Sequence, residues 1–441
     1  MQHDTTTLKD LSILGVAHSV FHLLDFCTTQ KGKEVLRKMI LHPPSSFELL
    51  QQEQEVIRYF AEGKAALPTI ISNGTLVMLE KFFESADHIP QKPSGFNLLF
   101  NAYFQKALNR NEYSFHQFSV SHLSDFFKGC KELTLLLVSQ TLPEKLRDHV
   151  QEIQRELDQS KLTDALLKVK KEMGYQEMAT ISYEARRELK NPIERLLKRY
   201  SQLDAWQSIG KAAVAHHWSF PKLQPSIPVV YEASGLYHPL LQQPKTYDIH
   251  FSEQENFLLL TGANMSGKTT YMRSLGIGAL LAHIGSAVPA QAMTISFLQG
   301  IITNMHVEDN IHLGESLFMA EVHRIKQTAQ KVISPHPHLV LMDELFKGTN
   351  VHDAFECTKA VVSGLLAHPH HIMVLSTHLY EVAQQFKDTA SIQFYYFETQ
   401  LTSSGPFSFT YELKKGISND RIGYRILEKE GVLNLLKGIS E

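Results

Sequence analysis

Two textures divide the chain. From Asp10 to about Trp218 apolar residues recur at spacings of three and four, as in Leu14, Val20, Phe21 and Leu24 and again in Val35, Leu36, Met39 and Ile40. That is the period of helices with one buried face. Pro43-Pro44 and the loop around Ile89–Gly95 interrupt the pattern, since proline fixes φ and removes a backbone donor. After Trp218 come Pro221, Pro225 and Pro228, then short β-branched and aromatic runs at Ile227–Tyr231 and Asp248–Phe251. From there strand and helix alternate: strand Phe257–Leu260, helix Lys268–His283, strand Leu339–Met342, helix Asp353–Leu366, strand Ile372–Ser376. The pattern predicts an all-α domain over residues 1–220 and an α/β domain over 221–441 with a mostly parallel sheet covered by helices.

A length of 441 residues agrees with two or three domains, and 43% hydrophobic with 20% charged residues is ordinary for a chain that folds. The formal net charge of -3 supplies no global field toward nucleic acid or anionic membrane, so any contact with DNA has to be local. Between Glu144 and Tyr200 basic residues are dense, among them Lys168, Lys170, Arg186, Arg195 and Arg199, but acids nearly balance them. A solvated helix face with i,i+4 pairs is the preferred reading over a DNA-contacting stripe. Cys27, Cys130 and Cys357 are far apart and form no metal-ligand spacing. With no basic and apolar leader at the N-terminus and no apolar run long enough to span a bilayer, a reduced, cytoplasmic protein with no membrane association is expected.

The chemistry concentrates in the second half. Gly262, Ala263, Asn264, Met265, Ser266, Gly267, Lys268 and Thr269 spell G-x-x-x-x-G-K-[ST] after an apolar strand and at the opening of a helix. In that context backbone N–H groups and the helix dipole converge on an anion. The motif predicts a nucleoside triphosphate with Mg²⁺: Lys268 reaching the β- and γ-phosphates, Thr269 on the cation, and Thr270 beside it. Further on, the apolar strand His338–Met342 ends in Asp343 and Glu344. Asp343 is placed near the metal, and Glu344 is placed to orient or deprotonate the attacking water. The strand Ile372–Ser376 leads to Thr377 and His378, and His378 is positioned to sense the γ-phosphate.

Leu260–Arg273 resembles the phosphate loop of the MutS family of DNA mismatch-repair ATPases, which belong to the ABC class. The similarity runs on through Ala282–Ala290, Leu341–Glu344 with Gly348 and Thr349, Thr377-His378, Tyr237–Pro239, and Tyr411–Leu413 with Gly416. Glu308–Asn310 and Gly314–Glu321 resemble the ABC-class signature as MutS proteins write it. In the first half Leu23–Asp25, Thr28, Thr29, Gly32, Val35, Leu36, His42 and Pro43 are similar to the opening of the family's helical core, or lever, domain.

The resemblance implies an ABC-class P-loop NTPase domain preceded by a helical lever domain, with ATP and Mg²⁺ as ligands. It further implies a homodimer through the ATPase domains with composite sites, in which Ser316 of one subunit completes the ATP site of the other. ATP hydrolysis and DNA as partner, in mismatch or related repair, follow from the same resemblance. Glu315 and Leu317 stand where the family commonly has a basic residue and a threonine, which implies slow turnover. Near-neutral charge keeps a second reading open, a regulatory or mechanochemical ATPase whose levers bind a protein. The chain opens at the lever-like segment, so no mismatch-reading domain with a Phe-x-Glu wedge is expected. Phe60-Ala61-Glu62 has that spelling inside the helical region.

Overall fold

A computed structural model describes residues 3–15, 18–84, 110–169, 175–263, 265–305, 317–400, 408–418 and 432–436. The chain forms two compact units. One contains residues 1–23, 41–51 and 215–441, and the other contains residues 24–40 and 52–214. All described strands follow residue 221, and the compact units draw the N-terminal residues 1–23 and 41–51 into the strand-bearing half.

In the helical unit the described elements are α3 (Gln30–Leu41), α4 (Phe47–Ala61), α5 (Asn73–Glu84), α6 (Arg110–Leu133), α7 (Glu144–Gln159), α8 (Thr163–Leu167), α9 (Tyr175–Glu188) and α10 (Lys190–Ala215). Helices α3 and α4 straddle the division between units. Helix α10 is largely buried, with Tyr200, Leu203, Trp206 and Ile209 in the core. Its Asp204 carboxylate accepts the N–H groups of Thr28 (2.9 Å) and Thr29 (2.8 Å) and the Thr29 hydroxyl (2.7 Å). A side chain from a remote helix thereby caps the start of α3, satisfying donors that no intrahelical carbonyl reaches. Gly32 is required there: a Cβ would lie 2.2 Å from the same carboxylate. The Trp206 indole N–H donates to Glu53, whose carboxylate also takes Lys145 at 2.6 Å.

Two expectations for this half meet the structure here, and the second is corrected. The charged stretch pairs between helices as well as along them: Arg195 is bidentate on Glu156 (2.6 and 2.8 Å) and Arg199 meets Glu152, while Gln154 donates to Asp158 at 2.6 Å one turn on. Leu14 lies outside any helix, because the chain bends between α1 (Thr5–Asp10) and α2 (Val20–Leu24). The break at Pro43-Pro44 falls between α3 and α4, while the loop around Ile89–Gly95 lies outside the described residues. Phe60 is buried within α4.

The second unit holds two sheets. The strands are β1 (Lys222–Gln224), β2 (Tyr231–Leu236), β3 (Tyr247–Phe251), β4 (Phe257–Thr261), β5 (Ala292–Ser296), β6 (Gly300–Asn304), β7 (His338–Asp343), β8 (Ile372–Ser376), β9 (Ile392–Gln400) and β10 (Ser408–Lys415). The larger sheet has the order β10-β9-β4-β8-β7-β6, parallel except at β10. The smaller has the order β1-β5-β2-β3. Strand pairing begins at Tyr231, not at Ile227, since Pro228 has no N–H to give a ladder and Ile227 is exposed.

Helix α11 (Lys268–His283) packs against strands of both sheets, which explains why nearly all of it is buried. Gly278 lets it approach the small sheet, where the Tyr231 hydroxyl donates to Leu275 O at 2.9 Å. Gly276 makes room for Leu11, since a Cβ there would meet Leu11 Cδ2 at 2.6 Å. The N-terminal segment is thus part of this core. Leu11 and Ile13 are fully buried, and Asp10 accepts the Thr303 hydroxyl at 2.6 Å and the Met305 N–H at 3.3 Å. Helices α12 (Leu317–Val332), α13 (Val351–Leu365) and α14 (Tyr380–Gln385) complete the layer packed on Val340, Met342, Met373 and Leu375.

Candidate nucleotide site

Three neighbouring strands deliver the candidate residues to one edge of the large sheet. Strands β4, β8 and β7 are adjacent and parallel, so the segments leaving their C-terminal ends lie side by side. Outside the carboxyl ends of such strands is where open α/β sheets bind ligands. β4 runs into the loop of residues 262–267, β7 into Asp343 and Glu344, and β8 into Thr377 and His378.

The loop needs its glycines. Gly262 (φ 125°) and Gly267 (φ 110°) occupy backbone conformations that L side chains rarely adopt. Met265 (φ 67°) is at the exposed tip, and Ala263 is buried. The start of α11 has no side-chain cap, so its first backbone N–H groups face the loop without an internal acceptor. Ser266 Oγ is buried with no hydrogen-bond partner among the described residues. Lys268 is 5% exposed, and its ammonium turns back to donate to Gly262 O (2.7 Å) and Ala263 O (2.9 Å). Burial holds the lysine below its ordinary pKa, while Glu344 and Asp343 pull it back up.

Thr269 donates its hydroxyl to Asp343 Oδ2 at 2.6 Å, and Ser376 donates to the other oxygen of the same carboxylate at 2.5 Å. Glu344 carries its carboxylate beside two ammonium groups and an imidazole: Lys347 Nζ at 3.3 Å, Lys268 Nζ at 3.9 Å and His378 Nδ1 at 3.9 Å. Its backbone is left-handed (φ 54°) and its N–H continues the β7–β8 ladder to Ser376 O at 2.9 Å. His378 is half exposed beside it. Thr270 is half-buried on the first turn of α11.

The structure therefore brings Lys268, Thr269, Asp343, Glu344 and His378 together. Asn264 and Ser316, with the signature-like stretch before Leu317, lie outside the described residues. Beside the loop stands an aromatic wall. The Tyr247 ring meets Tyr271 and Phe397 edge-on at centroid distances of 5.2 and 5.9 Å, and its hydroxyl donates to Tyr411 O at 3.1 Å. Burial pushes the Tyr247 phenol up to about 12. Sequence reasoning missed Ser376 and Lys347. Ser376 directly precedes the Thr377-His378 pair, but its tie to Asp343 depends on the β7–β8 register, in which these two residues are partners.

The family described as MutS domain V matches residues 258–435. Among similar proteins are those named DNA mismatch repair protein MutS from Lactococcus lactis (28% identical over 246 residues, 54% of this chain and 29% of the relative), Listeria welshimeri (28% over 257 residues, 56% and 29%) and Aquifex pyrophilus (27% over 263 residues, 57% and 30%). The matched stretch spans less than a third of the length of these curated relatives. Over residues 258–435, then, this chain is similar to MutS domain V, the domain that it shares with these relatives.

Proposed function

We propose that this chain binds ATP with Mg²⁺ and hydrolyses it slowly, and that it acts on DNA as an ATP-gated dimer in mismatch repair or a related repair process. The observation that carries the reading is the meeting of Lys268, Thr269, Asp343, Glu344 and His378 at the ends of three adjacent strands. The residues fit a triphosphate. The unpartnered Ser266 hydroxyl, the uncapped start of α11 and a buried ammonium whose hydrogen bonds go to two backbone carbonyls are donors suited to phosphate oxygens. They also fit a hard cation, for Thr269 and Asp343 already face each other through oxygen. Bound there, Mg²⁺ neutralises charge on the phosphate oxygens.

Each residue then has a task. Lys268 exchanges its two carbonyl partners for phosphate oxygens. Glu344 orients a water and takes its proton as the water oxygen bonds to the γ-phosphorus and the bond to the β–γ bridging oxygen breaks. His378, at the rim, donates toward the γ-phosphate. Tyr247 and its aromatic neighbours form the wall nearest the base. Ser316 of a second subunit closes the site, as the family resemblance implies.

Steady-state hydrolysis tests the assignment. Glu344→Gln is expected to abolish turnover while nucleotide still binds, and Lys268→Ala to abolish binding. Equal rates for wild type and Glu344→Gln would remove Glu344 as the base. The net charge of -3 favours a second reading, in which the partner is a protein. Gel-shift titrations over a salt series with duplex, mismatched and branched DNA, with and without ATP, separate the two. Binding to none of these substrates would leave only the protein-partner reading.

A further inference from the structure

Glu344 leaves β7 into a turn, residues 344–349, that L-residues do not adopt unaided. Glu344 (φ 54°) and Phe346 (φ 62°) are both left-handed and neither is glycine. Such a backbone persists only where its surroundings impose it. Much of what imposes it here comes from α12. Gly348 lies against the backbone of Phe318, where a Cβ would stand 2.7 Å from Phe318 N. The ring of Phe318 packs on Phe346 at a centroid distance of 5.9 Å.

The third contact is polar. Glu321, one turn into α12 and 6% exposed, accepts the Lys347 N–H on Oε1 (3.1 Å) and the Gly348 N–H on Oε2 (3.2 Å). Two successive backbone donors in a tight turn call for two acceptor oxygens with negative charge, and a carboxylate supplies both. Lys347, whose N–H is held in this way, also sends its side chain to Glu344 at 3.3 Å. The backbone grip by Glu321 and the ionic surroundings of Glu344 therefore share one residue.

We infer that Glu321 is a positioning residue: its carboxylate fixes the turn after β7 and so sets where the Glu344 carboxylate stands relative to Lys268 and Thr269. This rests on Glu344 being the base, as proposed above. Glu321 touches neither nucleotide nor water in this role; it acts only through the turn. Loss of the clamp lets Glu344 drift by a fraction of its own length, which is enough to slow proton transfer without weakening the phosphate loop.

The test combines turnover with amide exchange on the intact chain. Glu321→Ala is expected to lower kcat on the order of 10- to 100-fold, the cost of displacing a reacting group by about 1 Å, with KM and nucleotide affinity unchanged within about twofold. Glu321→Gln, which keeps one acceptor, should fall between wild type and Glu321→Ala. In hydrogen exchange, the amides of Lys347 and Gly348 should lose protection in Glu321→Ala while those of β7 keep theirs.

A wild-type kcat in Glu321→Ala, kcat and nucleotide affinity falling together, or unchanged exchange at Lys347 and Gly348 would overturn the inference. If the wild type binds nucleotide but hydrolyses none, the proposed activity falls instead. The exchange arm then still decides whether Glu321 holds the turn.

Discussion

His283 ends α11 fully buried, with both ring nitrogens engaged. Its Nε2 accepts the Leu298 N–H at 2.8 Å, which leaves Nδ1 to donate to Ala279 O at 2.7 Å. Protonation would set one N–H against another, and burial holds the ring at about 4, below its ordinary 6.5. A folded pKa below the unfolded value means that the unfolded chain binds the proton first. The stability contribution is therefore complete above about pH 6.5 and is lost as pH falls from there toward 4. Between pH 7 and 5 the loss from this one group is roughly 2 kcal/mol. His149, His238, His338 and His371 shift in the same direction, chiefly through burial. His283→Gln, whose amide can present an acceptor and a donor to the same partners, should flatten part of the acid limb in urea denaturation at pH 7, 6 and 5. An unchanged slope would show that His283 does not titrate in that window. At this scale the sequence already marked Lys268, Thr269, Asp343, Glu344 and His378, because each sits in a motif or directly follows an apolar strand. Ser376, Lys347 and Glu321 were not legible, since their roles depend on which strand or turn lies alongside.

Elements bounded by strong signals were read nearly to the residue. Helix Lys268–His283 and strand Ile372–Ser376 occupy the predicted spans, one opening at a glycine-rich loop and the other an unbroken apolar run. β5, β6 and β9 carry no such mark. They are short or mix polar with aromatic residues, and they exist through pairing with distant strands. The start of α3 shows the same principle among helices: its cap is Asp204, 175 residues beyond Thr29. Asp204→Ala removes the acceptor of three donors, two of them on buried Thr29, and should destabilise the protein by about 2 kcal/mol or more. Asp204→Asn, with one acceptor retained, should cost less. Gly32→Ala tests the same place from the other side, because the new methyl displaces the carboxylate. Guanidinium denaturation of the three variants should rank Asp204→Ala at or below Asp204→Asn, with Gly32→Ala also destabilised. A wild-type midpoint in Asp204→Ala would refute the capping role.

At the scale of the whole chain, the unit that holds the nucleotide site is assembled from three separated segments. A fragment covering 221–441 lacks Leu8, Leu11 and Ile13, whose burial is worth about 1.5–3 kcal/mol each, and the Asp10 carboxylate that engages Thr303 and Met305. That fragment should melt at a lower temperature than the corresponding transition of the full chain, or without cooperativity. Adding a peptide of residues 3–23 should partly restore it. Equal melting temperatures would show that the N-terminal segment is dispensable. Composition gave no hint of this partnership, because an apolar helical stripe does not reveal which sheet it will cover.

The bond between Asp10 and Thr303 spans 293 residues of chain. On a ribosome adding about 5–20 residues per second, Leu11 and Ile13 wait roughly 15 to 60 s for the strand and helix that shelter them. The helical unit emerges complete in that interval. During synthesis, therefore, Leu11 and Ile13 stay without their apolar cover until β6 has been made.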